Sequence, residues 1–335
     1  MLQESIPLVR MAFSEPIRQT LSGLGVGTAY YKRAGIPIYA DYSPYTLVPE
    51  RPWWVMLDEI SRREAIPELG LLAAEPVSFV DVRSISAQLQ GSETLRELLL
   101  RFIEAVRYQS NNARFRLVES ADHAMFCNLT PSLLTGESEA VQIPLFQFRG
   151  MIQLVQRVLG GAWRPRRVRL PFRQFVELVA SPILGADHVL FDQPYAAFDL
   201  SPAELDTPVS ARGCETMALP SKSELPDLPP TAFLACLRRL VDYHLCEQVP
   251  DLKTVATICD LSPRTLQRRL ADQGLTFAGL LDWSRQQRSK HLLVDTDRSL
   301  TDIAHVQGYS DYQKFSRAFT RWTGETPRRY RLRRR

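Results

Sequence analysis

The stretch from Thr301 to Tyr330 constrains the fold more tightly than any other part of the chain. Ile303, Ala304 and Val306 carry the apolar face of one short helix, Gly308 allows a left-handed turn residue, and Ser310 is the expected N-cap of a second helix. That second helix buries Phe315 and Phe319, four positions apart and so on one face. Two short helices around a tight turn commonly lay the second one in the major groove of DNA.

The same pattern occurs earlier. Val255 aligns with Ile303, Ala256 with Ala304 and Ile258 with Val306. After one extra residue in the later turn, Leu266 aligns with Phe315, Arg268 with Arg317 and Leu270 with Phe319. Ser262 and Pro263 supply an N-cap and a first-turn proline, which start a helix abruptly. Phe277 to Val294 is long enough for one connecting helix, with Leu281, Leu292 and Leu293 inward and Arg285, Arg288 and Lys290 towards water or phosphate. Leu234, Leu237, Val241 and Leu245 form a further apolar stripe ahead of the first unit.

With Leu266 and Leu270 facing inward, Arg264, Gln267 and Arg268 lie on the opposite face; with Phe315 and Phe319 inward, Gln313, Ser316 and Arg317 do. In the major groove Arg matches guanine and Gln matches adenine, each good pair being worth ~1–3 kcal/mol of discrimination. The same side chains also serve as phosphate clamps. Gln313, three residues after Ser310, has a capping box as its alternative, and Tyr312 at the helix start either reaches a sugar or base or packs in the core.

Charge follows the same division. The net +4 hides an excess of eight from Thr231 onward, where 19 Lys and Arg face 11 Asp and Glu; the preceding 230 positions hold 22 basic and 26 acidic residues. A phosphate backbone attracts such a concentration. Six arginines between Arg328 and Arg335 add to it, although Arg331 to Arg335 read as a solvated, disordered tail.

Chemistry is poorly provided for. Cys127, Cys214, Cys236, Cys246 and Cys259 are scattered, with no C-x-x-C pair and no metal-like spacing with His, which points to reduced thiols in a cytoplasmic setting and to no metal. G-x-S-x-G, Walker and H-E-x-x-H patterns are absent, and His123 beside Asp122 reads as a turn histidine, so neither catalytic residues nor a cofactor are expected. Met1-Leu-Gln-Glu-Ser lacks a signal-peptide pattern, and no run approaches the ~18 apolar residues of a membrane span. A soluble, cytoplasmic protein without a membrane partner is expected.

The first half mixes periods. Trp54 to Leu72 reads as an amphipathic helix, and Thr94 to Tyr108 as a clearer one. Arg114 to Ser120 alternates like a strand and could form a hairpin with His123 to Leu129. A helix from Leu145 to Leu159, a strand over Arg166 to Leu170, a short helix over Phe172 to Val179 and a strand over His188 to Phe191 complete the pattern. The expected architecture is an α+β domain over residues 1–217, a proline-rich linker over 218–230, and an all-α domain over 231–335 with two helix-turn-helix units joined by a long helix.

The second half resembles the DNA-binding domain of the AraC/XylS family of bacterial transcription regulators. Ile303-Ala304, Gly308-Tyr-Ser-Asp311, Phe315-Ser-Arg-Ala-Phe319, Trp322-Thr-Gly324 and Pro327-Arg-Arg-Tyr-Arg331 carry the likeness. Gln286 and Ser289 depart from it, standing where the family has apolar residues or alanine. Residues from about Ile17 to Leu190 resemble the α+β effector domain of ornithine-utilisation-type regulators, rather than the arabinose sensor's strand-rich cupin, through Pro67-Glu-Leu-Gly-Leu71 and Ser92 to Leu99.

The resemblance implies a sequence-specific transcription regulator, an activator, that binds a promoter site on double-stranded DNA near RNA polymerase. Its first domain would sense a small organic effector or form a homodimer. Tyr30, Tyr31, Tyr39, Tyr42, Tyr45, Trp53 and Trp54 either line an effector pocket or form core. Two other classes compete: a DNA-binding domain fused to an alkyl-transferring repair domain, whose Pro-Cys-His-Arg surrounding is absent here, and a ligand-independent architectural DNA binder.

Overall fold

The computed structural model describes residues 5–38, 43–76, 83–120, 122–130, 141–173, 188–209, 227–245 and 249–334. In the first half, helices α1 (Glu15–Gly23), α2 (Ala29–Ala34), α3 (Arg51–Arg63), α4 (Leu69–Ala73), α5 (Arg83–Leu89), α6 (Leu95–Val106), α7 (Gln142–Leu159) and α8 (Pro202–Leu205) accompany seven strands. Strands β3 (Phe115–Glu119), β4 (Ala124–Asn128), β5 (Arg167–Arg169), β6 (His188–Leu190) and β7 (Ala196–Leu200) make one sheet in the order β3-β4-β7-β5-β6. The expected hairpin is present, with Phe115 opposite Asn128 and Glu119 opposite Ala124. The short helix expected over Phe172 to Val179 lies mostly outside the described residues.

Strand β7 was not expected, yet it is central. It pairs antiparallel with both β4 and β5, whereas β5 and β6 run parallel. Ala196, Ala197, Phe198 and Leu200 are all buried, so the segment lacks the polar alternation that marks a half-exposed strand. Edge-on ring contacts run from Phe102 to Phe126, Phe198 and Phe148, joining α6 and α7 to the sheet.

Helix α7 begins three residues ahead of the expected Leu145 because its cap comes from far away in sequence. Asp58 Oδ1 accepts from the backbone N–H groups of Val141 (2.9 Å) and Gln142 (3.1 Å), two donors that the first turn leaves open. The Gln142 side chain accepts from the Gly70 N–H at 2.8 Å and donates to Ser61 Oγ at 2.9 Å. The approach of α4 to α7 is so close that a Cβ on Gly70 would stand 1.9 Å from the Gln142 carbonyl oxygen.

Among the described residues of the second half the elements are all helices: α9 (Phe233–His244), α10 (Leu252–Ile258), α11 (Pro263–Ala271), α12 (Phe277–Asp295), α13 (Leu300–Val306), α14 (Tyr312–Thr323) and α15 (Pro327–Arg334). It holds two cores. Leu292, Leu293, Ile303, Phe315, Phe319 and Tyr330 anchor the later one, all from its own segment. The earlier core joins Leu237, Val241, Val255, Leu266 and Leu270 to Ile6 and Leu8, from the opposite end of the chain.

That intrusion rests on a two-stranded ribbon, in which β1 (Leu8–Arg10) pairs antiparallel with β2 (Leu47–Pro49). Asn111 clasps it: its Oδ1 accepts from the Leu8 N–H at 2.8 Å, and its Nδ2 donates to the carbonyls of Ile6 (3.0 Å) and Pro230 (2.7 Å). The buried Arg10 guanidinium donates to the carbonyls of Tyr108, Tyr45 and Asp227. The part of the expected linker that is described, from Asp227 to Pro230, is thus held at both ends by the first half.

The arginine-rich end is also ordered differently from expectation. Instead of a solvated tail, α15 runs to Arg334; Arg331 donates to the carbonyls of Leu293 (3.0 Å) and Arg298 (2.7 Å), while Arg333 and Arg334 meet Glu325. Among the described residues no helix is long and apolar enough to cross a membrane, and no group of His, Cys, Asp and Glu could hold a metal ion.

Candidate nucleic-acid interface

The first helices and turns of the two helix-turn-helix units are built alike. Asp251 and Ser299 cap α10 and α13, accepting from Thr254 N–H and Asp302 N–H. Each first helix ends on a residue with positive φ, Asp260 at 55° and Gly308 at 80°. In each the following N–H, of Leu261 or Tyr309, returns to the carbonyl of Ala256 or Ala304 at 2.9 Å. Gly308 is needed twice over, since a Cβ there would also meet Val249 Cγ2 at 2.6 Å. Asp260 tolerates the left-handed turn because a short polar side chain suits it.

The second helices start on different caps. Ser262 accepts from the Thr265 N–H at 3.1 Å as expected, with Pro263 in the first turn. In the later unit the cap is Asp311 rather than Ser310: its Oδ1 accepts from the Lys314 N–H at 2.8 Å, a bond that holds this carboxyl below its usual range. Ser310 instead donates to Asp311 and accepts from Lys314 Nζ. Moving the cap by one residue puts Lys314 at the third helical position, so the capping-box alternative for Gln313 is removed.

Leu266 and Leu270 are buried under α11, and Phe315 and Phe319 under α14. Arg264, Gln267 and Arg268 on α11, and Gln313 and Arg317 on α14, are exposed on the opposite sides. Tyr312 and Ser316 are only half-exposed, and Tyr312 packs against the later core. The structure therefore brings five of the seven candidates together on two outward faces.

What distinguishes those arginines is that their neighbours are engaged. Arg321 pairs with Asp282 at 2.8 Å, Arg269 lies over the Phe233 ring and Arg238 over Trp283. Arg285, expected to face water or phosphate, sits 5.3 Å from the Tyr309 ring centroid. Gln286 donates to the Trp322 carbonyl at 2.9 Å, so this departure from the family pattern ties α12 to α14. Ser289, the other departure, is buried.

The first unit has a neighbour that sequence reasoning missed. Arg51, the first residue of α3, reaches its turn, pairing with Asp260 at 2.7 Å and donating to the Thr257 carbonyl at 3.1 Å. A separation of 206 positions left no local signal for this contact.

Beside Arg51, Glu50, Trp53 and Trp54 line an open cleft. Phe13, Ile17, Phe115 and Phe146 make much of the remaining wall. Of the aromatic residues weighed as pocket lining, Tyr30 and Tyr31 are core and Tyr45 is exposed; Tyr39 and Tyr42 lie outside the described residues. Glu50 is buried, accepting from Ser110 Oγ (2.7 Å) and Asn112 Nδ2 (3.0 Å), and burial pushes its carboxyl above the usual range.

The thiols offer no nucleophile near neutral pH among the described residues. Burial raises Cys127 to about 11, Cys259 to about 12, and Cys236 also upward. Cys214 and Cys246 lie outside the described residues.

Comparison with known proteins adds two matches. Residues 255–333 match a helix-turn-helix domain family, and residues 27–209 match the family described as the arabinose-binding domain of the AraC transcription regulator, N-terminal. The chain is 32% identical over 184 residues to the regulator VirS of Mycobacterium tuberculosis, covering 52% of each. It is 36% identical over 85 residues to the regulator VqsM of Pseudomonas aeruginosa, covering 25% of this chain and 26% of that one. Similarity to the ornithine utilization regulator of the same organism is 38% over 82 residues, 24% of either chain. These matches span between a quarter and about half of the curated relatives' lengths.

Proposed function

Because the chain belongs to the AraC family of transcription regulators, we propose that it binds promoter DNA sequence-specifically through both helix-turn-helix units and that its first half governs this binding. The observation that carries the reading is the pair of outward faces. Arg264, Gln267 and Arg268 on one, and Gln313 and Arg317 on the other, are exposed, while arginines around them are held by carboxylates, carbonyls and rings. Tyr312 and Ser316 contribute at the edge of the second face.

Rigid connection through α12 suits two readers placed in successive turns of the major groove, roughly 34 Å apart on one side of the duplex. The opposite side stays open, an arrangement compatible with activation beside RNA polymerase. We assign residues 1–217 to effector sensing or homodimer formation, 218–230 to the linker and 231–335 to DNA reading. The role is non-enzymatic and its place the cytoplasm.

Selection of bound sequences from a random DNA pool tests this. Arg264→Ala or Gln267→Ala should relax base preference in one half-site, and Gln313→Ala or Arg317→Ala in the other, by ~1–3 kcal/mol each. Uniform weakening across all sequences would assign those side chains to the phosphate backbone, and a wild-type chain that enriches no sequence would refute the reading.

A further inference from the structure

Glu50 occupies an unusual place. It is a buried carboxyl in the wall of a mainly aromatic and aliphatic cleft, whose other polar side chains, Ser14, Gln109, Ser110 and Gln147, are uncharged, and it stands at the N-terminal end of α3, where it makes no capping bond to its own helix. Its oxygens turn instead to Ser110 and Asn112. Those two residues flank Asn111, whose side chain holds the Pro230 carbonyl at the entry to the helical half. On its other side Glu50 is followed by Arg51, which holds the Asp260 turn of the first reading unit. One carboxyl in the cleft wall thus stands between two of the contacts that fasten the first half to the helical half.

We propose that this cleft is the effector site, that it takes a small, mainly aromatic or aliphatic molecule carrying one ammonium head against Glu50, and that occupancy reaches the first reading unit through Arg51 and Asn111. The proposal rests on the regulatory reading above and specifies the ligand class and route. Ring walls from Phe13, Trp53, Trp54 and Phe146 supply apolar contact for the body of such a molecule. A buried carboxylate already furnished with two donors retains lone pairs for a third, and a cation is the partner that offsets its desolvation. An anionic head would instead face like charge in a low-dielectric wall. Burial raises the Glu50 carboxyl more than Ser110, Asn112 and the nearby Arg114 charge lower it, so a further cation at its head would be favoured.

The test uses the full chain and three matched probes, phenethylamine, phenethyl alcohol and 3-phenylpropionate, titrated by calorimetry with DNA affinity measured in parallel. Phenethylamine should bind at least about tenfold more tightly than 3-phenylpropionate, and Glu50→Gln should remove most of that preference. If Glu50→Gln does not fold, Trp54→Ala decides: Trp54 is only partly buried, and its loss should weaken all three probes while leaving the fold intact. Arg51→Ala should bind phenethylamine as wild type does yet lose at least half of the amine's effect on DNA affinity. Equal binding of amine and carboxylate, indifference to Trp54→Ala, or no amine binding up to about 10 mM would overturn the site. Unchanged coupling in Arg51→Ala would overturn the route. Failure to select any DNA sequence sinks the regulatory reading instead, and is scored separately because probe binding needs no DNA.

Discussion

The two helix-turn-helix units share their turn geometry but not their independence. The later unit closes its core with residues from its own segment, Leu292 to Tyr330. The earlier one takes Ile6 and Leu8 into its core, has Arg51 on its turn, and is entered through a backbone held by Asn111 and Arg10. Duplicating a motif therefore does not duplicate its physical situation. One reader is tethered to the first half, and the other meets the earlier unit through α12 and through Val249 beside its Gly308 turn.

Four perturbations should separate the two readers, beginning with the largest. Leu8→Ala removes a fully buried side chain from the first unit's core and should cost about 2–5 kcal/mol. Amide exchange should then accelerate across 252–271 well before 300–323, and equal acceleration would mean that the units share one cooperative core. Acid should act next. Burial holds His244 down to about 4, so between there and the unfolded value of about 6.5 only the unfolded chain takes the proton. The stability that buried His244 on α9 contributes consequently falls as pH drops through that window, by roughly 3 kcal/mol at ~1.36 kcal/mol per unit. His305 in the later unit is exposed. Denaturant melts at pH 7 and pH 4.5, with His244→Gln as control, measure the difference.

Gly308→Ala acts on the later unit. A Cβ at φ 80° and 2.6 Å from Val249 Cγ2 should cost about 1–3 kcal/mol and weaken contacts to the second half-site first. Footprints that fade equally over both half-sites would show the units to be more coupled than their cores suggest. Smallest should be Arg51→Ala. Its pairing with Asp260 is largely solvated, so stability should change by no more than about 1 kcal/mol in urea titration. A larger loss would mean that this contact supports the fold as well as linking the two halves.

Which parts were legible follows from how local their causes are. Thr94 caps α6 three residues from its partner N–H, and the α13 and α14 pattern is complete within thirty positions, so propensity and spacing sufficed. Helix α7 was placed but started late, because Asp58 lies 83 positions before the N–H it caps. Strand β7 gave no alternation, since both its faces are covered. Ser310 and Asp311 are adjacent and both good caps; only the backbone decided between them. The exposed Arg264, Gln267, Arg268, Gln313 and Arg317 were legible because a helical wheel is geometry, but which other arginines are occupied depended on tertiary partners. Tyr312 and Ser316 fell at the boundary of the wheel, where half-burial cannot be read from period alone.

The ribbon that completes the first reader also sets an order of events during synthesis. Leu8 precedes Leu237, with which it shares a core, by 229 positions. At roughly 5–20 residues per second, Leu8 has left the ribosome for roughly 10–45 seconds before that helix is made. In that interval the apolar segment lacks its final cover. A chain cut short anywhere before α9 leaves Ile6 and Leu8 without the helices that bury them, so the ribbon's apolar face is completed only by the part of the chain made last.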